Sequence, residues 1–104
     1  MSAPVKQTEG ETLTEHRQQL REPSLYKVLL HNDDYTSMEF VVMILETIFN
    51  KPPQEAARIM MQVHRRGVGV AGVYCRDIAE TKQQMVTSQA RSNNFPLKCT
   101  IEPA

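Results

Sequence analysis

A strand-to-helix junction constrains this chain more than any other feature of its sequence. Residues 26–30 form an apolar run with aromatic and β-branched members, a pattern typical of a strand, and apolar residues recur at helical spacing after residue 37. Between the two runs stand Asn32, Asp33 and Asp34, whose side chains are rich in hydrogen-bond acceptors. The sequence therefore predicts a cluster of acceptors at the point where a strand gives way to a helix.

The start of that helix is predicted from two capping patterns. Thr36 and Glu39 fit the S/T-x-x-E capping box, and Tyr35 and Phe40 fall at the two positions of a hydrophobic staple. The acceptors that precede them have two interpretations. Asn and Asp side chains often bond only to their own turn, but they can also bind a ligand, and the junction alone does not decide between these roles.

The remaining elements follow from periodicity and from glycine and proline. Pro52 and Pro53 end the first helix and begin a second, Gly67 is predicted as its C-cap, and Asp77-x-x-Glu80 is interpreted as a further capping motif. Glycines in the second strand predict a bulge or a close backbone approach. The predicted elements are strand 26–30, helix 37–49, helix 53–66, strand 68–74, helix 78–91 and strand 97–101. The order β-α-α-β-α-β predicts an α+β sandwich with three helices on one face of a three-stranded antiparallel sheet.

Length and composition predict one small core domain with a tail. Residues 1–23 are charged and poor in large apolar side chains, so we expect a flexible extension there and a core domain at residues 24–104. Lys and Arg total 12 and so do Asp and Glu, which argues against nucleic-acid binding. Cys75 and Cys99 have no metal or redox spacing, so no metal or cofactor is expected. With no signal-like or membrane-spanning run, we expect a cytoplasmic protein.

Several separated motifs resemble those of the ClpS family, bacterial adaptors of the ClpAP protease. The likeness runs from about Pro23 to the end of the chain, and the motifs stand in the family's order and spacing. They are Asn32-Asp33-Asp34-Tyr35-Thr36-x-Met38-Glu39-Phe40-Val41, Val63-His64-x-x-Gly67 and Ala79-Glu80-Thr81-Lys82. The resemblance implies an adaptor that delivers proteins with a destabilising N-terminal residue to the ClpA unfoldase. It also implies a fold similar to the C-terminal domain of the ribosomal stalk protein.

The resemblance also implies the residues of a peptide site. Asn32, Asp33 and His64 match the residues that hold the free α-amine of the substrate, and this agrees with their chemistry, because an ammonium offers three donors to three acceptors. The first side chain of the substrate, Leu, Phe, Tyr or Trp, enters an apolar pocket. The residues expected to line that pocket are Thr36, Met38, Val41, Met60, Val63 and Leu97.

Partner binding is expected at two further places. Asp77, Glu80 and Lys82 match the surface that docks on the N-terminal domain of ClpA, although charges at a helix start are also ordinary. In the family the N-terminal extension engages the protease. One departure is Ser37, where the family usually has proline, so the loop beside the pocket is expected to be looser.

Other interpretations of the same residues stay open at this point. The apolar spacing also fits ordinary core positions for Met60, Val63 and Leu97. His64 lies near a helix C-terminus, where its only role could be a favourable interaction with the helix dipole. A hydrolase is disfavoured because Asp33 and His64 lack an accompanying nucleophile or metal motif, so we expect no enzyme activity. The alternative function is a generic scaffold domain that binds a protein partner without recognising N-terminal residues.

Overall fold

A computed structural model describes residues 24–104, and the predicted extension at residues 1–23 lies outside the described part. The element order within that part confirms the predicted β-α-α-β-α-β arrangement. Its elements are β1 (Leu25–His31), α1 (Met38–Thr47), α2 (Pro53–Arg66), β2 (Val68–Cys75), α3 (Arg76–Ser92) and β3 (Lys98–Pro103). None of the helices in residues 24–104 is long and apolar enough to cross a membrane.

The sheet has β1 at its centre, with β2 and β3 antiparallel on either side. Alternation along the strands separates two faces, as the period of two requires. Val28, Leu30 and Cys99 are buried beneath the helices, whereas Val70 and Val73 are exposed on the other face. Cys99 points towards the core, and burial raises the pKa of its thiol to about 12.

β2 contains both a bulge and a close backbone approach. Val28 pairs with Gly72 while the next residue of β1, Leu29, pairs with Val70, so Ala71 is an extra residue that forms a bulge. A Cβ atom on Gly69 would stand 2.7 Å from Cγ2 of Val63, which is closer than side chains approach. Gly69 therefore lets α2 lie directly on β2, and this sets the depth of Val63 beneath the molecular surface.

The predicted capping box and staple at the start of α1 are wrong. The N-cap is Ser37, whose hydroxyl accepts a hydrogen bond from the Phe40 N–H at 3.1 Å. Thr36 precedes the cap by one residue, and its hydroxyl donates to the carboxylate of Asp33 instead of accepting from the helix. Tyr35 is 76% exposed, while Phe40 packs on Phe95 with ring centroids 4.9 Å apart, so no staple forms.

The ends of α2 are confirmed and the start of α3 is corrected. Pro53 begins α2, and Gly67 ends it in the left-handed conformation at φ 86°, with its N–H bonded to the Val63 carbonyl. At α3 the predicted Asp77 cap is wrong, because β2 runs straight into the helix and Cys75 takes the N-cap position without a side-chain bond. Asp77 lies in the first turn, where its charge still favours the helix dipole.

Candidate functional site

A cleft of about 260 Å³ opens where the junction after β1 meets the start of α1 and the end of α2. It brings together acceptors and apolar side chains from two stretches of the chain, residues 32–41 and 60–64. The lining residues are Asn32, Asp33, Asp34, Thr36, Met38, Val41, Met60, Val63 and His64. Eight of the nine residues predicted for the peptide site therefore lie around one cleft.

Asp33 organises the junction through its carboxylate. Its Oδ1 accepts hydrogen bonds from the backbone N–H groups of Tyr35 at 2.8 Å and Thr36 at 2.7 Å, and Oδ2 accepts from the Thr36 hydroxyl at 2.8 Å. Burial raises the pKa of Asp33, but the hydrogen bonds from Thr36 and Tyr35 together lower it below its ordinary value of 3.8. The carboxylate is thus held in place and kept ionised at the cleft.

The turn-forming role left open for these acidic residues belongs to Asp33. A carboxylate offers about four lone-pair sites, and the three bonds from Tyr35 and Thr36 leave one lone pair of Oδ2 unused within the described residues. Asp34, whose role the sequence left ambiguous, is exposed and also lines the cleft. The spacing of Asp33 two and three residues before Tyr35 and Thr36 is typical of such a turn.

A backbone hydrogen bond brings the two distant parts of the acceptor set together. The Asn32 N–H donates to the Gly67 carbonyl at 2.9 Å, where β1 ends and the C-cap of α2 begins. His64 lies one turn before Gly67 and is exposed at the rim of the cleft. The left-handed glycine turns the chain after α2, so that Asn32 and His64 border the same opening.

The apolar wall comes from the facing ends of two helices. Met38 and Val41 stand in the first turns of α1, and Met60 and Val63 stand in the last turns of α2, spaced by three residues in each case, which places each pair on one helix face. Met38 is 42% exposed, so it lies at the mouth, whereas Val41 and Val63 are buried at the base.

Among the nine residues predicted for the peptide site, Leu97 is the one that does not line the cleft. Leu97 is 1% exposed and belongs to the hydrophobic core, and it is absent from the residues that line the cleft. It precedes β3 rather than lying within it as predicted. The alternative interpretation of Leu97 as a core residue is the one that the structure supports.

The three predicted docking residues lie on α3 but differ in their surroundings. Asp77 is exposed, and Glu80 pairs with Arg76 at 3.1 Å on the surface. Lys82 instead donates to the Ile48 carbonyl at 2.6 Å, and its ammonium lies 5.6 Å from the centre of the Tyr74 ring. Sequence reasoning missed this inward contact because Lys82 and Ile48 are far apart in the chain.

Metal and redox chemistry gain no support from the part of the chain that the structure describes. Residues 24–104 contain no group of three or more His, Cys, Asp or Glu side chains that could hold a metal ion. Cys75 and Cys99 are both free thiols. The lining of the cleft offers hydrogen-bond acceptors, carboxylate charge and apolar side chains.

Comparisons with known proteins agree with this geometry. The family model described as "ATP-dependent Clp protease adaptor protein ClpS" matches residues 21–100. The ATP-dependent Clp protease adapter protein ClpS of Desulfatibacillum aliphaticivorans is 58% identical over 94 residues, which are 90% of each chain. The protein of the same name from Cupriavidus metallidurans is 48% identical over 103 residues, 99% of this chain and 94% of that one.

A solved structure gives the same result for the fold. Agrobacterium tumefaciens ClpS2 bound to L-phenylalaninamide superposes with a TM-score of 0.76 and 46% sequence identity, covering 79% of this chain and 99% of that chain. The predicted fold and the resemblance stated from the motifs are both confirmed. The chain therefore belongs to the ClpS family of ATP-dependent Clp protease adaptors, and it is an adaptor rather than an enzyme.

Proposed function

We propose that this adaptor binds proteins that begin with Leu, Phe, Tyr or Trp and delivers them to a ClpA-type unfoldase for degradation by ClpAP. The observation that carries the proposal is the cleft, in which an ionised carboxylate and other acceptors stand beside an apolar wall. A free N-terminal residue has the complementary pair of features, an ammonium group and a side chain. The relative bound to L-phenylalaninamide supports this, since that ligand has both.

Recognition of the α-amine would rest on Asn32, Asp33 and His64. An ammonium removed from water needs an opposite charge, which Asp33 supplies, and neutral acceptors for its other protons. The amide oxygen of Asn32 and an unprotonated imidazole nitrogen of His64 are such acceptors. Charge-assisted hydrogen bonds contribute about 1.5 to 3 kcal/mol each, so a blocked amine should bind far more weakly.

The side chain of the first residue would occupy the apolar part of the cleft. A volume of about 260 Å³ is below the roughly 300 to 1,000 Å³ of pockets for drug-sized ligands, which suits a single residue. Burying a Leu or Phe side chain contributes about 1.5 to 3 kcal/mol. Together with the bonds to the ammonium, this makes a complex of micromolar affinity attainable.

The test compares two peptides of one sequence, a fluorescent Phe-initiated peptide with a free α-amine and the same peptide acetylated at that amine. We expect the free peptide to bind and the acetylated peptide to bind at least tenfold more weakly, because acetylation removes the charge and about 1.5 to 3 kcal/mol. Equal affinities would contradict recognition of the amine. A protein that binds neither peptide would match the scaffold alternative.

Delivery is proposed to use α3 and residues 1–23. Asp77 and Glu80 are accessible on the surface of α3, and a partner such as the N-terminal domain of ClpA could pair with them. The test is degradation of a Phe-initiated reporter protein by ClpAP with the double variant Asp77→Lys, Glu80→Lys. Delivery should fall while the affinity for the Phe-initiated peptide stays at the wild-type level. The predicted cytoplasmic location is part of this proposal, since the protease must meet its adaptor.

A further inference from the structure

The C-terminal end of α1 is held by a side chain from another helix. Ile48 is the C-cap of α1, and its carbonyl accepts a hydrogen bond from Lys82 of α3 at 2.6 Å. The last turn of α1 has no basic residue of its own. Lys82 thus supplies the cation that stabilises the negative end of the helix dipole.

The surroundings of Lys82 favour this inward position. Its side chain is half-buried, and its ammonium lies 5.6 Å from the centre of the Tyr74 ring, within the range of a cation–π contact. Tyr74 in turn faces Phe49 with ring centroids 6.4 Å apart. Lys82 is therefore fixed from two sides, by the carbonyl of Ile48 and by the ring of Tyr74.

The same helix carries part of the cleft wall at its other end. Met38 and Val41 lie in the first turns of α1, which packs mainly against α2. A helix of ten residues spans about 15 Å and keeps its shape through its internal hydrogen bonds. A rigid helix transmits a displacement of its C-terminal end to Met38 and Val41 at its other end.

We propose that Lys82 is a positioning residue for the peptide cleft: by holding the end of α1, it determines where Met38 and Val41 stand and so which first residues fit. This inference rests on the proposed function and deepens it. It differs from the docking role predicted for Lys82, because an ammonium bonded to Ile48 is engaged within its own chain. A partner that captured this ammonium would release the end of α1.

The experiment compares Lys82→Met with Gln83→Met, a matched control. Gln83 is the next residue of α3, is also half-buried, and donates to a backbone carbonyl at 2.8 Å, but that carbonyl belongs to Cys99 of β3. Methionine retains a long unbranched chain in both cases. Affinities for Ile-, Leu- and Phe-initiated peptides are measured by anisotropy, and amide hydrogen exchange in α1 is measured by NMR.

For Lys82→Met we expect the ratio of Ile to Leu affinity to change about two- to thirtyfold, the range measured for residues that act through others. Amides at the end of α1 should exchange about 2- to 12-fold faster, as expected for one lost hydrogen bond. Gln83→Met should lower the melting temperature and leave both readouts unchanged. Lys82→Arg, which keeps a cationic donor, should restore both.

The outcomes separate this inference from the proposed function. If wild-type protein binds the peptides and Lys82→Met keeps the wild-type ratio, Lys82 does not position the wall, and the proposed function stands. Equal changes of the ratio in Gln83→Met would show a general loss of stability and would also overturn the inference. If Lys82→Met does not fold, Lys82→Gln gives the same comparison. Wild-type protein that binds none of the peptides would overturn both proposals.

Discussion

Replacing Asp33 with asparagine separates its turn-forming role from its proposed role in binding the α-amine of a peptide. The amide oxygen of asparagine can accept the two backbone N–H bonds that Oδ1 now accepts from Tyr35 and Thr36. Its NH2 group can donate to the Thr36 hydroxyl oxygen in place of the present bond from that hydroxyl. Asp33→Asn should therefore preserve the junction while removing its negative charge.

The expected loss of peptide affinity follows from the lost negative charge and from the donor group that the amide introduces. A bond from the peptide ammonium to a carboxylate contributes about 1.5 to 3 kcal/mol, and the amide of asparagine presents part of its surface as a donor instead. We expect Asp33→Asn to weaken a Leu-initiated peptide by most of that amount, roughly 10- to 150-fold. Asp33→Ala should weaken it further, because the junction itself then loses three hydrogen bonds.

The assay is fluorescence anisotropy with a Leu-initiated peptide, and Asp34→Asn is the matched control. Asp34 carries the same charge and lines the same cleft, but it is exposed, so solvent screens it more strongly. We expect a smaller loss for Asp34→Asn than for Asp33→Asn. Equal losses in the two variants would refute the assignment of Asp33 as the residue that meets the ammonium.

The lowered pKa of Asp33 leads to a second prediction, which concerns the stability of wild type and Asp33→Asn as a function of pH. Because the folded pKa lies below the ordinary value of 3.8, ionised Asp33 stabilises the fold above that value. This contribution disappears as the pH falls through the folded pKa. Urea unfolding of wild type and Asp33→Asn, from neutral pH to below 3.8, should show a stability difference that shrinks in acid. A difference independent of pH would contradict the stabilising role of the carboxylate.

Three further predictions concern the mouth of the cleft, the start of α1 and the N-terminal extension. Met38→Ala should raise the affinity for Ile- and Val-initiated peptides relative to Leu-initiated ones roughly 5- to 150-fold, because it relieves a clash at their branched Cβ. If this affinity ratio stayed unchanged while the melting temperature fell strongly, Met38 would be a core residue. Ser37→Ala should lower the free energy of unfolding by about 1 kcal/mol, because the cap on the Phe40 N–H is lost, and urea denaturation would refute this if stability stayed at the wild-type level. Deleting residues 1–22 should leave peptide binding nearly intact but stop delivery to ClpAP, and a loss of peptide affinity would place the extension in the site instead.

Much of the fold was predictable because its boundaries depend on local chemistry. Proline at the start of α2 and glycine at its end act through their own backbone, and both assignments are confirmed. The cap of α1 was not predictable in this way. Thr36 and Ser37 are both good capping residues, and the local sequence does not show which of them directly precedes the first helical residue.

The candidate site was predictable where helical spacing decides which side chains share a face. Met60, Val63 and His64 could be assigned to one side of α2 from their spacing alone. Leu97 could not be assigned, because its depth depends on how β3 packs beneath α3. The inward orientation of the Lys82 side chain could not be predicted either. It depends on the distance between α1 and α3, which the sequence does not specify.

The hydrogen bond between Asn32 and Gly67 has a consequence for how such a site can diversify. It aligns the two halves of the acceptor set through main-chain atoms, so the alignment does not depend on which side chains form the rest of the cleft. Met38 and Met60 line the cleft with their side chains and take no part in this main-chain hydrogen bond. Replacing them should therefore leave the bond in place. A designer could therefore vary the pocket to recognise other first residues, provided that the two segments joined at Asn32 and Gly67 are transplanted as one unit.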